Sequence, residues 1–130
     1  MGNSEARAAK WATFLASRNE FPARERFLAA FKSGRITRTC ECGCNSFDIE
    51  VPEESGVPLL ARPGNYGAVF ELMFATVEPT GSIEFTIFVG KSGHLASVDV
   101  SHCANALPVP DEFVIIEPPY HARVSEALGV

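Results

Sequence analysis

The stretch AVFELMFATV-EPTG-SIEFTIFV, Ala68 to Val89, decides the fold. Its second half puts Ile83, Phe85, Ile87 and Val89 at every second position. Side chains alternate across a strand, so this spacing predicts one apolar face. The first half is apolar on both faces except at Glu71, as expected of a strand inside a sheet. Glu78-Pro79-Thr80-Gly81 reads as the turn between them, and Gly90-Lys91-Ser92-Gly93 as the turn into a third strand, Leu95 to Val100. Turns this short join antiparallel neighbours, so the three strands form a meander.

Working toward the N-terminus, Phe47, Ile49 and Val51 alternate with Asp48 and Glu50 and predict a half-exposed strand. Between them and the meander, 52–67 holds Pro52, Pro58, Pro63, Gly56, Gly64 and Gly67 and reads as a loop. Upstream of Arg35 the period is helical. Ala8, Trp11, Ala12 and Leu15 form one stripe of a helix over Ser4 to Ser17, with Asn3 or Ser4 placed to cap it. A second helix is expected to begin at Pro22, carry Phe27, Leu28 and Phe31 on its apolar face, and close on a left-handed Gly34. Toward the C-terminus, Phe113 to Glu117 reads as a last strand that Pro118-Pro119 ends.

The expected class is α+β: two N-terminal helices packed on a mostly antiparallel sheet of four to five strands. A chain of 130 residues makes one domain, read as a helical arm (1–34), a sheet (35–118) and a tail (119–130). Hydrophobic residues at 46% and charged residues at 21% fit a folded globular chain and argue against disorder. The net charge of −5 lacks the basic excess of a nucleic-acid binder. Most Lys and Arg residues fall between Arg7 and Arg38. They read as solvated helix faces, with an anion- or nucleic-acid-binding face as the alternative, and the charge asymmetry suits either the steering of a partner or pairing of the helical arm with the acidic sheet. No apolar run is long enough for a signal peptide or a membrane span, which makes the cytoplasm the expected location.

Three of the four cysteines stand at alternate positions in Thr39-Cys40-Glu41-Cys42-Gly43-Cys44-Asn45-Ser46. On a straight strand, Cys40 and Cys44 would be roughly 13 Å apart at Cα, too far for one zinc ion with bonds of about 2.3 Å. A bend is therefore required, and Gly43, or Asn45 beside it, can supply positive φ. The metal set would be Cys40, Cys42 and Cys44 with Cys103 or His102, and zinc the cofactor. The alternatives are a redox-active thiol set and small cysteines packed in a tight turn.

A thiol nucleophile needs a base within hydrogen-bond reach. His102 adjoins Cys103 but points the other way on a strand, and His94, in a hairpin turn, is expected to face solvent. His121 is the remaining histidine. The carboxylate pairs Asp48/Glu50 and Glu53/Glu54 have no basic neighbour in sequence that would tune one member as an acid.

Three segments carry a family resemblance. They are Cys40-Glu41-Cys42-Gly43-Cys44-Asn45-Ser46, Gly93-His94-Leu95-Ala96-Ser97-Val98-Asp99 and Pro108-Val109-Pro110-Asp111. Together, over about 36–117, they resemble a loose group of small bacterial proteins of unknown function with a C-x-C-G-C-x-[S/T] turn. The resemblance implies no activity and no catalytic residue. Its members need no counterpart of Cys103. The function expected from the residues is a non-enzymatic binding or interaction module for a protein or small molecule, without nucleic-acid or membrane partners. An open meander also has edges that a second copy could pair, forming a homodimer. The alternatives are a zinc-binding protein and a thiol-redox or cysteine-dependent enzyme.

Overall fold

The computed structural model describes residues 3–41, 43–64 and 66–128. Helices α1 (Glu5–Ala16) and α2 (Arg24–Ser33) precede six strands: β1 (Arg35–Thr39), β2 (Phe47–Glu50), β3 (Gly67–Val77), β4 (Gly81–Val89), β5 (Leu95–His102) and β6 (Val114–Val124). The sheet order is β1-β2-β5-β4-β3-β6, and every neighbouring pair is antiparallel. The class is α+β as expected, but with six strands rather than four to five. The meander β3-β4-β5 forms the centre.

Both additional lengths of strand have a physical reason. β1 carries a single apolar residue, Ile36, among RITRT, so its periodicity is silent; pairing with β2 makes it a strand. β6 continues through the prolines that were expected to end it. Its register with β3 jumps from Ala75↔Ile116 to Met73↔His121, so Glu117 to Tyr120 bulge out opposite one residue of β3. A bulge on an edge strand is where missing proline N–H groups remove no ladder bond. Beyond β6, Ala127 and Leu128 are buried, and Arg26 Nη2 donates to the Leu128 carbonyl at 2.8 Å. The expected tail is thus partly strand and partly core.

α1 starts where Ser4 accepts the Arg7 N–H, and its buried residues are Ala8, Trp11, Ala12 and Leu15, the predicted stripe. Trp11 and Phe14 meet Phe85 of β4 at ring-centroid distances of 5.4 and 5.3 Å, and Phe14 also meets Phe74 of β3. α2 begins two residues later than expected. Gly34 ends it extended, at φ −87°, not left-handed; its lack of a side chain instead leaves room for Ile49, whose tip lies 2.8 Å from where a Cβ would be. Phe21 stacks on Phe70 at 4.5 Å, and Phe31 meets Phe47. The core is therefore a phenylalanine layer.

Among its described residues, the 52–67 loop contains one 3-10 turn, Glu53–Ser55, and it is anchored. Leu60 and Ala61 are buried, and both of their N–H groups donate to the Gly93 carbonyl at 3.0 Å. Gly93, at φ +90°, faces this loop so closely that a Cβ would lie 2.3 Å from the Ala61 oxygen.

Candidate functional site

The cysteine turn is the loop of the β1–β2 hairpin. Cys40 N–H donates to the Ser46 carbonyl at 3.0 Å across its base. Gly43 takes φ +105°, the bend that a straight strand could not provide. Asn45 does not take positive φ. It is instead a buried polar hub, 2% exposed. Its Oδ1 accepts Trp11 Nε1–H at 2.9 Å, Arg7 Nη2–H at 2.8 Å and Arg7 Nε–H at 3.1 Å, while its N–H donates to Val100 of β5.

Three further segments close on the turn. Asn3 Nδ2 donates to the carbonyls of Cys40 and Ser46, Ser46 Oγ accepts the Val100 N–H, and Gly43 O accepts the Val109 N–H. Arg7 reaches onward to Pro110 O and Asp111. The turn thus joins the start of α1, β5 and the loop that leads to β6.

Of the expected metal set, Cys44 is buried and Cys40 half-buried, while Cys42 lies outside the described residues. Cys103 and His102 lie at the end of β5, with their side chains against Gly81 of β4. β4 borders β5 on the side opposite β2, and the contact with Gly81 is on that β4 side. Among the described residues, no three His, Cys, Asp or Glu side chains gather as a metal cluster.

His102 and Cys103 do meet each other, contrary to the alternation of a strand. The strand ends at His102, and Cys103, Ala104 and Asn105 follow at φ +52°, +55° and +67°. Three left-handed residues in succession swing the thiol back, and Cys103 Sγ lies 3.9 Å from His102 Nε2. His102 is 2% exposed, and its Nδ1 has no hydrogen-bond partner among the described residues.

His94 is likewise buried rather than solvated, because Gly93 turns it in beside the 52–67 loop. His121 lies on β6 with its Nε2 2.9 Å from Glu71 Oε1, and Arg123 donates to the other oxygen of that carboxylate at 3.2 Å. Its distance in sequence and in strand order keeps it apart from Cys103.

The carboxylate pair Asp48/Glu50 does have basic neighbours: Arg38 of β1 bonds Asp48 and Arg35 bonds Glu50. Both pairs are exposed cross-strand ion pairs, a structural arrangement of small energetic weight. Elsewhere, Arg18 spans from Glu20 to Glu117 on β6, and its hydrogen bonds hold both carboxyls below the usual glutamate range. Arg18 of the helical arm thus pairs with one acidic group of the sheet, while Arg26 donates to backbone carbonyls and Lys10 lies over the Trp11 ring. Asp99 is exposed on β5, and local desolvation raises its carboxyl above the ordinary aspartate range, the Ser46 hydrogen bond opposing and the Asp48 charge adding.

Asn45 and Gly81 are the residues that sequence reasoning missed. In the sequence Asn45 reads only as a candidate backbone bend, and Gly81 only as part of a turn. Among the described residues, no helix is long and apolar enough to cross a membrane. No family model, curated protein or solved structure matches the chain.

Proposed function

We propose that this chain is a non-enzymatic binding module that docks a protein, a second copy of itself, on the sheet face turned away from the helices. The observation that carries this reading is an apolar corner on that face. Along β3, Phe70, Leu72, Phe74 and Thr76 are buried, while Glu71, Met73, Ala75 and Val77 alternate with them and keep partial exposure. Cross-strand pairing sets Val114 beside Val77 and Ile116 beside Ala75, and these two β6 residues are 50% and 43% exposed. The corner is rimmed by Glu71, His121 and Arg123. An apolar patch with a polar rim is the usual form of a protein docking site.

Two further observations favour a second copy. The rim carries both signs of charge, so two-fold related copies can oppose Arg123 to Glu71. The face rather than the β6 edge is the docking surface, because Pro118 and Pro119 bulge that edge and deprive it of donors. Sedimentation equilibrium tests this. The wild-type chain is expected to dimerise, and Ile116→Lys to be monomeric at the same concentration with unchanged circular dichroism. A wild type that stays monomeric at every concentration, or a variant that dimerises equally well, would sink the reading. Turnover lost on mutating Cys103 or a histidine would overturn its non-enzymatic part.

Zinc binding by Cys40, Cys42 and Cys44 with Cys103 or His102 is the second reading. It is favoured by the bend at Gly43, on which it depended. It is weakened by the contact of Cys103 and His102 with Gly81. Elemental analysis of untagged protein decides it: zinc or iron well below one equivalent excludes it.

A further inference from the structure

We infer that Cys103 is a site of covalent thiol modification, with His102 as its base and a low-molecular-weight disulfide as its co-reactant. This goes beyond the docking reading and does not depend on it. The inference starts from the geometry of the β5 end. A thiol becomes a nucleophile when a base stands within reach to take its proton, and such contacts are commonly long before a reactant arrives. Here Nε2 of a histidine buried to 2% exposure stands 3.9 Å from Sγ.

Among the described residues, no other hydrogen bond of that side chain is seen. Its Nδ1 is buried without a partner among the described residues. A buried imidazole left half-satisfied is costly, by about 1–3 kcal/mol. Packing alone would be served better by an apolar residue. The thiolate left by proton transfer accepts a charge-assisted hydrogen bond from Nε2–H, and Nδ1 stays as it was.

Two more features preserve the contact. A Cβ at Gly81 would stand 2.6 Å from Sγ and 2.9 Å from Nε2, so glycine there leaves the space that the pair occupies. The left-handed run from Cys103 to Asn105 is held by Cys103 N–H to Ser82 O at 2.9 Å, by Ala104 N–H to Glu84 Oε1 at 2.8 Å and by Ala106 N–H to Cys103 O at 3.0 Å. Left-handed backbone costs roughly 1–2 kcal/mol per non-glycine residue, and it is kept where surrounding bonds over-determine it. Cys103 itself remains partly exposed, as a reacting thiol must. Glu84 is the acidic side chain of this corner, and its carboxylate is engaged by Ser82, Ser101 and the Ala104 N–H.

The step balances as thiol–disulfide exchange. Cys103 gives its proton to His102 Nε2. The thiolate attacks one sulfur of R–S–S–R, a new Cys103–S–S–R bond forms as the old S–S bond breaks, and the departing R–S⁻ takes the proton from His102. The disulfide is the oxidant and its second half is the reduced product.

The test is labelling of the folded chain with the aromatic disulfide 5,5′-dithiobis(2-nitrobenzoate). Peptide mass spectrometry locates each adduct, so Cys40, Cys42 and Cys44 are scored separately. Cys103 is expected to react at neutral pH at least about threefold faster than N-acetylcysteine, because Nε2 is placed to take the proton as the thiol attacks. His102→Gln should bring the rate to that of the model thiol. Gly81→Ala, which pushes Sγ and Nε2 apart, should do so in part. A wild-type Cys103 that reacts no faster than N-acetylcysteine overturns the inference, even if neither variant folds. A His102→Gln chain that folds and keeps the wild-type rate overturns the role of His102.

Discussion

Replacing Asn45 by alanine should remove a large share of the stability of the chain. Asn45 Oδ1 is the acceptor for Trp11 Nε1–H and for two N–H groups of Arg7, in a site where Asn45 and Trp11 are 2% and 3% exposed. With alanine, the indole N–H is left buried and unpaired, at a cost of about 1–3 kcal/mol. Arg7 keeps Pro110 O at 3.2 Å and Asp111 at 3.4 Å, so its loss is smaller, about 1–2 kcal/mol for a charged donor that retains partners. Together these give about 2–5 kcal/mol, against about 5–15 kcal/mol for a whole domain. Trp11 is the single tryptophan, so its fluorescence during urea unfolding reports the hub directly. The urea midpoint should fall by about 1–3 M at an ordinary denaturant slope. Asn45→Asp keeps an acceptor facing Trp11 and Arg7 and should recover more than half of the loss. A loss below about 1 kcal/mol for Asn45→Ala, or an aspartate variant as unstable as the alanine one, would refute the reasoning that an acceptor at this point holds the hairpin, α1 and the loop before β6 together.

Two other perturbations probe different parts of the fold. Gly93→Ala must adopt φ +90° and place a Cβ 2.3 Å from the Ala61 oxygen, so it should cost about 2–4 kcal/mol and free the 52–67 loop, seen as loss of amide protection at Leu60 and Ala61; unchanged protection would contradict the anchor. Asp99→Asn should stabilise the chain at neutral pH. The raised carboxyl makes stability highest below the unfolded aspartate range and lower as pH climbs through the folded value, so the gain should fade near pH ~3; an equal gain at both pH values would show that charge is not its origin.

The central strands were legible because their cause is local. Ile83, Phe85, Ile87 and Val89 alternate within one segment, and the buried residues of β4 are the ones that alternation names. The stripe of α1 and its Ser4 cap were equally readable, since helix spacing and capping act within four residues. The site was much less so. The requirement for a bend in the cysteine turn followed from strand geometry, and Gly43 meets it. Asn45, however, gains its meaning from Arg7 and Trp11, which lie far from it in sequence.

By itself, then, the sequence determined the α+β class, the antiparallel centre and the apolar faces of α1, β2 and β4. These depend on periodicity and on turns of a few residues. Only the tertiary structure decided that β1 pairs with β2, that β6 runs on past its prolines beside β3, and that Cys103 faces His102. A strand partner is chosen by contacts across the whole chain. The sign of φ at a cysteine, an alanine and an asparagine is set by the bonds that surround them, not by their own preference.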